Sequence, residues 1–349
     1  MAFYPMPHFV MADPNLLKAR PGNPVTIHDV AALAGVSLVT VSRAFNDPKQ
    51  LSPKTLAKVL AAAEKTGYVP NLSAGSLRSS KTRLIAAFVP TLQGHFASMI
   101  QALTTRFAAQ GYQVVLGQVG YSIEQEAAML RTVIGRRPDG IVLAGVTHSA
   151  ESRKLLAFSG IPIVETWDVT PEPIDMLVSF SHEDTSAQVC KFLARKGRSK
   201  IAVISGNDPR SLRRNDAFLK AAQELGMALP MIRTVSVPTT HGAGRAALSS
   251  LLSEHTDIDA AYCSSDMLAM GVLTEARVRG IKVPQQLAVV GSGDLDFAAT
   301  LDPSLTTVRI DGALLGQTAA EFIIDRIEGK ERTEKTVSIS LPIIERQSA

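Results

Sequence analysis

The segment Leu38-Val-Thr-Val-Ser-Arg43 gathers two hydroxyls, one guanidinium and three apolar side chains, of which Leu38 and Val39 are left with the polar groups on the outer helix face. On such a face Thr40 and Ser42 can donate to phosphates or base edges. Arg43 can bond guanine bidentately, a contact worth about 1–3 kcal/mol of base discrimination. Leu38 and Val39 can meet thymine methyls. The chemistry on offer is the reading of a duplex through its major groove. The alternative is a small helical bundle with an ordinary solvated face.

The surrounding residues supply the elements that such a face needs. Thr26 is an N-cap with Asp29 three residues on, close to a capping box, and Ile27, Val30, Ala31 and Ala34 give a buried stripe. Gly35 ends that helix, and Ser37 caps a second one running to about Phe45. Val36, Val41 and Ala44 are expected to pack inward. Two helices joined by so short a turn make a helix-turn-helix. Ser52-Pro53 opens a third helix that stops before Gly67, with Leu56, Val59, Leu60 and Ala63 as its core stripe. The stretch Tyr68 to Arg78 is short and contains Gly75, so alone it makes a marginal helix. Within it Leu77 can wedge between base steps in a minor groove while Arg78 holds a phosphate. A plain linker with a chance leucine is the other reading.

Charge is placed accordingly. Residues 1 to 80 hold eight Lys and Arg against four acids, so the net charge of +4 for all 349 residues resides there. Local basic charge is the footprint of nucleic-acid binding. Hydrophobic residues make up 46% and charged ones 19%, which excludes a disordered chain and suits two or three packed domains. Two cysteines, Cys190 and Cys263, are too few for a disulfide framework. No secretory pattern and no long apolar run is visible, so a cytoplasmic protein is expected. Residues 1 to 24 carry five prolines and read as a loose extension, with Met1, Met6 and Met11 all available as starts.

From Leu84 the rhythm changes to apolar strands alternating with helices, which implies parallel sheets covered on both faces. The rhythm restarts near Ser181, giving two α/β halves. One helix of the second half is expected over 213 to 225. Doubly wound sheets hold ligands at the carboxyl ends of their strands. There the sequence offers Gln93-Gly-His95-Phe96, Thr147-His148, Glu165-Thr-Trp167-Asp168, Arg214, Tyr262, Asp266 and Asp294. Trp167, the only tryptophan, can stack on a sugar face, and Arg214 can grip a carboxylate. Gly291-Ser-Gly does not complete a nucleotide loop, no Gly-x-Ser-x-Gly elbow occurs, and the histidines lack metal-ligand spacing. Catalysis, cofactor and metal are therefore not expected.

Residues 25 to 83 resemble the headpiece and hinge of the LacI/GalR family of bacterial repressors. The likeness rests on Thr26-Ile-His-Asp-Val-Ala, Gly35-Val-Ser, Thr40-Val-Ser-Arg, Asn46, Ser52-Pro-Lys-Thr, Gly67-Tyr-Val-Pro-Asn and Ser76-Leu-Arg. It continues to about residue 340, where the body is similar to periplasmic sugar-binding proteins. The resemblance implies a helix-turn-helix head at 25–69, a hinge at 70–80 and a core at 81–349. That core has an N-subdomain of about 81–180 and 309–335 and a C-subdomain of about 181–308 and 336–349. It implies DNA contacts from Thr26, Ile27, His28, Ser37, Leu38, Val39, Thr40, Ser42, Arg43, Asn46, Thr55, Tyr68, Asn71, Leu77 and Arg78. His95, Phe96 and Tyr262 fall at pocket positions of relatives, and Arg214-Asn-Asp-Ala-Phe218 is similar to a family pattern. Glu165, Trp167, Arg214, Asp266 and Asp294 complete the expected ligand set.

Relatives of neutral-sugar type carry an acid where Gly293 stands here, and losing that charge favours an anionic ligand. Together with Glu165-Thr-Trp-Asp and Ile174-Asp-Met-Leu-Val-Ser-Phe, this resembles the gluconate-utilisation repressor branch. The implied function is a ligand-responsive repressor that binds a near-palindromic operator as a homodimer and answers to gluconate or a ketogluconate. The subunit interface is expected on helices near 96 to 110 and 266 to 279. A transport-type sugar receptor without a DNA role is the alternative, which the basic head disfavours. Leu77→Ala should weaken operator binding far more than nonspecific binding in a gel shift, and equal loss on both probes would contradict the wedge.

Overall fold

The computed structural model describes residues 25–70, 81–120 and 123–349. Asn71, Leu77, Arg78, the extension 1–24 and nearly all of the expected hinge lie outside the described residues. The chain divides into two compact units, Met1–Thr82 and Arg83–Ala349. Among the described residues are eleven α-helices and twelve strands, and no single helix is long and apolar enough to cross a membrane.

In the first unit α1 (Ile27–Ala34) ends at Gly35, whose φ of 57° is the left-handed conformation that glycine takes freely. The Asp29 carboxylate accepts from both the Thr26 N–H and hydroxyl at 2.7 Å. Helix α2 (Leu38–Asn46) starts where Ser37 Oγ accepts the Thr40 N–H at 3.2 Å. Helix α3 (Pro53–Thr66) starts on Ser52 and ends at Gly67. Val30, Ala31, Ala34, Val41, Ala44, Val59, Ala62 and Ala63 form the core, with Val36 half-buried against it. The expected stripe of α3 needs one correction. Leu60 is 45% exposed and Ala62 is buried in its place. Val59 and Ala63 centre the buried face; Ala62 lies beside them, whereas Leu60 is turned about 100° from Val59.

The second unit holds two six-stranded sheets. The first contains β1 (Leu84–Val89), β2 (Gln113–Gln118), β3 (Gly140–Ala144), β4 (Ile163–Thr166), β5 (Met176–Ser179) and β11 (Thr336–Ser338), in the order β11-β5-β4-β3-β1-β2. The second contains β6 (Ile201–Gly206), β7 (Met231–Val235), β8 (Ala260–Cys263), β9 (Ala288–Gly293), β10 (Thr306–Arg309) and β12 (Ile343–Ile344), in the order β12-β10-β9-β8-β6-β7. Every pairing is parallel except β10 with β12. Helices α4 (His95–Ala108), α5 (Ile123–Ile134), α6 (Ala150–Phe158) and α11 (Gly312–Ile327) belong with the first sheet, where α11 packs on α4. Helices α7 (His182–Arg195), α8 (Pro209–Glu224), α9 (His241–Glu254) and α10 (Asp266–Val278) belong with the second.

Two expectations differ from this arrangement. Strand β11 pairs with β5, Thr336 opposite Leu177, so the last crossing follows Ser338 and residues 336–338 belong to the first subdomain. A three-residue strand is too short to carry a periodicity signal. Helix α8 begins at Pro209, four residues before its expected start, because Asp208 caps it and proline fits its first turn. Helix α10 packs against α9 and the second sheet, with Met267, Met270 and Thr274 half-buried and exposure beginning at Arg277.

Glycine permits the α9–α10 approach. A Cβ at Gly244 would stand 2.2 Å from the Leu268 carbonyl oxygen, and one at Gly271 would stand 2.1 Å from that of His241. Gly244→Ala is expected to cost roughly 1–3 kcal/mol by overpacking. A lower denaturation midpoint by circular dichroism is the expected result, and an unchanged midpoint would refute the close approach.

Candidate functional site

The outer face of α2 is built by its caps. Leu38 and Val39 are 39% and 58% exposed, and Arg43 and Asn46 are also exposed. Ser37 and Thr40 hydroxyls lie 2.9 Å apart, and Asn46 Nδ2 donates to the Ser42 carbonyl at 3.0 Å, so these polar groups are held in fixed rotamers. Thr26 and His28 are exposed, while Ile27, Ser42, Thr55 and Tyr68 are half-buried. Tyr68 packs against Phe45 at 5.8 Å, and Thr55 shares its hydroxyl with Ser52. Such a face puts apolar and hydrogen-bonding groups side by side, as groove recognition needs.

In the second unit the strand ends of both sheets and the start of α8 enclose a cavity of about 120 Å³. Of the expected ligand residues, His95, Phe96, Trp167, Arg214 and Asp266 line it. So do Asp208, Arg210, Ser211 and His182, which the sequence reading missed. The first three follow from the Asp208-Pro209 cap, the same signature as Ser52-Pro53. His182 occupies the first position of α7, and no sequence pattern marks it.

The arrangement fixes its arginines. The Ser211 hydroxyl donates to Asp208 Oδ2 at 2.5 Å, and Arg214 donates to Ser211 Oγ at 2.9 Å. Burial opposes the Asp208 charge, yet Ser211, Arg214 and Arg210 hold its carboxyl below the usual range. Arg210 lies over the Phe96 ring at 5.9 Å. Arg213 points elsewhere and pairs with Asp168 across the two subdomains. Asp266 is fully buried; its Oδ1 accepts from Thr307 at 2.6 Å and its Oδ2 from the Leu295 N–H at 2.8 Å. Burial raises its pKa despite those bonds.

Trp167 anchors the other wall. Its ring packs on His95 at 4.9 Å and on Phe96 at 4.4 Å, and its N–H meets Met99 Sδ at 2.8 Å. With both rings against it, the indole holds the imidazole in place more than it offers a free face to a sugar. Its φ of 70° is left-handed, and its carbonyl accepts from His182 Nε2 at 2.9 Å. A carbonyl only accepts, so Nε2 of His182 carries the proton. Burial, then Arg214 and Arg210, push His95 down to about 4 and His182 well below its usual value. Both rings are therefore neutral. His95 Nδ1 and Arg214 Nε are buried without a hydrogen-bond partner; Arg214 Nε can only donate and so asks for an acceptor, whereas the neutral imidazole nitrogen donates or accepts according to its tautomer.

Glu165, Tyr262 and Asp294 are placed outside this cavity, a correction to the expected ligand set. Tyr262 stacks on Phe218 at 5.6 Å beneath α8. Asp294 is spent on Arg309 and Arg346, each at 2.7 Å. Glu165 is buried and accepts the Ile174 N–H at 2.6 Å. Strand β4 ends at Thr166, and the left-handed backbone of Trp167 parts it from the face that Glu165 occupies. Thr147 lines a second cavity of about 110 Å³ with Glu126 and Asp168.

His148 sits between two carboxylates, with Nδ1 2.9 Å from Glu126 and Nε2 3.1 Å from Glu165. Carboxylates only accept, so both nitrogens carry protons. Burial opposes this charge, but the bonds to Glu126 and Glu165 outweigh it and lift His148 from 6.5 to about 9.

The comparisons with known proteins agree with this architecture. The profile of bacterial regulatory proteins of the lacI family matches residues 26–71, and that of a periplasmic binding protein-like domain matches residues 190–349. The HTH-type transcriptional regulator GntR of Pseudomonas aeruginosa is 31% identical over 326 residues, covering 93% of this chain and 95% of the relative. The chain belongs to the LacI family of transcriptional regulators. The HTH-type regulator IdnR of Escherichia coli is 27% identical to this LacI-family chain over 322 residues, 91% of the chain and 97% of the relative. A LacI-family transcriptional regulator from Silicibacter pomeroyi superposes with a TM-score of 0.88 at 29% identity, covering 93% and 99% of the two chains. The lac repressor dimer bound to operator and the anti-inducer ONPF superposes at 0.81 with 25% identity, covering 93% and 99%.

The His148 cluster yields a pH prediction for this LacI-family body. A folded pKa raised above the unfolded one stabilises fully below pH 6.5, and that contribution is lost as pH rises through about 9. Thermal melts from pH 6 to 10 should show the wild type losing stability more steeply than His148→Gln. Parallel curves would mean that the imidazole is not protonated.

Proposed function

We propose that this LacI-family regulator represses sugar-acid catabolic genes, binds a near-palindromic operator as a homodimer, and responds to an acid of gluconate or ketogluconate type in the cavity of its body. The observation that carries the effector reading is the meeting of Arg210, Arg214 and a neutral His95 in one cavity, where His95 Nδ1 and Arg214 Nε are buried without a hydrogen-bond partner. Arginine binds carboxylate through paired, directional N–H groups. The space at Gly293, where a Cβ would stand 3.2 Å from both Asp266 Oδ2 and His95 Nδ1, supports the same reading, because an acid there would repel the ligand.

In this reading Arg214 and His95 take the carboxylate, Ser211 and Asp266 take hydroxyls, and Phe96 and Trp167 shape the apolar wall. On the DNA side, Leu38 and Val39 choose the sequence, Arg43 reads guanine, and Thr26, His28, Ser37, Thr40, Ser42, Asn46, Thr55 and Tyr68 position the head on the backbone. A two-fold dimer reads two half-sites, which accounts for a palindromic operator. Effector occupancy is transmitted to the head through the tether at 70–80, with coupling of about 1–3 kcal/mol between the two sites.

Calorimetry on the full chain should give binding with gluconate or 2-ketogluconate and none with glucose. Arg214→Ala should weaken acid binding about 10–100-fold through loss of charge-assisted bonds while leaving operator binding intact. Tight glucose binding without acid binding would overturn the effector assignment, and absence of any footprint on genomic DNA would overturn the regulator's target.

A further inference from the structure

We infer that His95 selects for an acid in this cavity by taking a proton from solvent at Nδ1 as the anion enters, the new N–H then donating to the ligand carboxylate. The inference rests on the sugar-acid reading above and adds to it the residue and the proton that discriminate acid from neutral sugar.

The geometry is specific. His95 opens α4, and its ring is held against Trp167 at 4.9 Å with a 29° tilt and against Phe96 at 5.3 Å. It cannot swing away to find another partner without breaking that stack. Nδ1 is buried and unpartnered on a residue that lines the cavity, and it lies close to Gly293, where a Cβ would stand 3.2 Å both from it and from Asp266 Oδ2. With the single proton of the neutral ring on Nε2, Nδ1 presents a lone pair that repels a carboxylate, and an anion settles there once Nδ1 has become a donor.

The charged and titratable groups around the ring determine when that happens. Arg210 and Arg214 reach in from α8, Asp208 caps that helix, His182 comes from α7 and Asp266 from α10. Asp208 and Asp266 already accept two or more bonds each, and the Nε2 proton of His182 is committed to the Trp167 carbonyl. Burial and the two guanidinium groups of Arg214 and Arg210 hold His95 neutral, down at about 4. An entering carboxylate adds an opposite charge beside the ring and favours the imidazolium. A neutral sugar brings no such charge and leaves the ring as it was.

The sign follows by linkage. The complex binds one more proton than the free protein, so acid affinity rises as pH falls from the bound-state pKa toward about 4, and is flat above that window. Within the window the gain approaches about tenfold per pH unit.

The test is titration of the full chain with sodium gluconate at pH 6 and pH 8, each in two buffers of different ionisation enthalpy. Buffer-dependent heat equal to uptake of up to about one proton at pH 6, with tighter binding than at pH 8, is the expected result. His95→Gln, whose amide can still donate but cannot titrate, should bind gluconate with no proton uptake and a flat pH profile. Gluconate binding without proton uptake in the wild type overturns the inference and leaves the sugar-acid reading standing, since a shift of tautomer would then supply the N–H. Uptake that persists in His95→Gln and disappears in His182→Gln or Asp266→Asn assigns the proton elsewhere and also overturns it. Gluconate that fails to bind at either pH removes the sugar-acid reading, and this inference falls with it.

Discussion

Burying a polar nitrogen with nothing to bond is the constraint around which the cleft is organised. Each unmet group of this kind costs about 1–3 kcal/mol, and folded chains rarely keep them. Here His95 Nδ1 and Arg214 Nε are both left so, in one small cavity. Their neighbours are the reverse case. Asp208, Ser211, Asp266 and Thr307 form closed hydrogen-bonded sets that fix each side chain. The unmet groups are therefore rigidly held as well as unmet. A ligand that meets both nitrogens gains without first having to order its site, which is how preorganisation lowers the cost of binding.

Trp167 links that chemistry to the rest of the body. Its left-handed backbone is a strained conformation for a bulky residue, worth roughly 1–3 kcal/mol. Three independent contacts hold it there: Met99 Sδ on the indole N–H, His182 on the carbonyl, and the rings of His95 and Phe96. The ring also meets Phe180 edge-on at 5.7 Å. Phe180 and His182 belong to the first connection between the two subdomains, and Asp168, next in the chain, pairs with Arg213 of the second. A ligand that draws on His95 thus pulls on a stack touching both a connection and a cross-cleft ion pair. The interior is densely packed, so a shift there is passed on as a discrete rearrangement.

Local rules were legible in the sequence, and long-range ones were not. Thr26 with Asp29, Ser37, Ser52-Pro53 and the two glycines at 35 and 67 set the three head helices, because caps are short-range chemistry. The same rule at Asp208-Pro209 went unread, and with it Arg210 and Ser211 at the cavity. Trp167, Arg214 and His95 could be placed at strand ends because a parallel sheet sends its functional loops to one edge. Tyr262 and Asp294 sit at such ends too, but their partners, Phe218, Arg309 and Arg346, lie far away in sequence and claim them first. His182 could not be found at all: its role depends on the carbonyl of a residue fifteen positions earlier, in a backbone conformation that sequence does not announce. Strand β11 illustrates the same limit, since only its pairing with β5 assigns its three residues to a sheet.

The charge distribution constrains how a message can leave the cavity. All of the net +4 lies in residues 1 to 80, and the remainder of the chain sums to zero. DNA attraction, which grows with the number of phosphates neutralised, is therefore a property of the head. Under the proposed proton uptake, an anion that enters with its own proton would leave the body's charge as it found it. Even an unneutralised charge would be screened beyond a Debye length of about 8 Å at physiological salt. An electrostatic signal from the cavity would therefore act only over that short range. For the proposed effector response, the contacts support displacement through the ring stack and the subdomain connections, where the strained backbone of Trp167 and the Asp168–Arg213 pair are found.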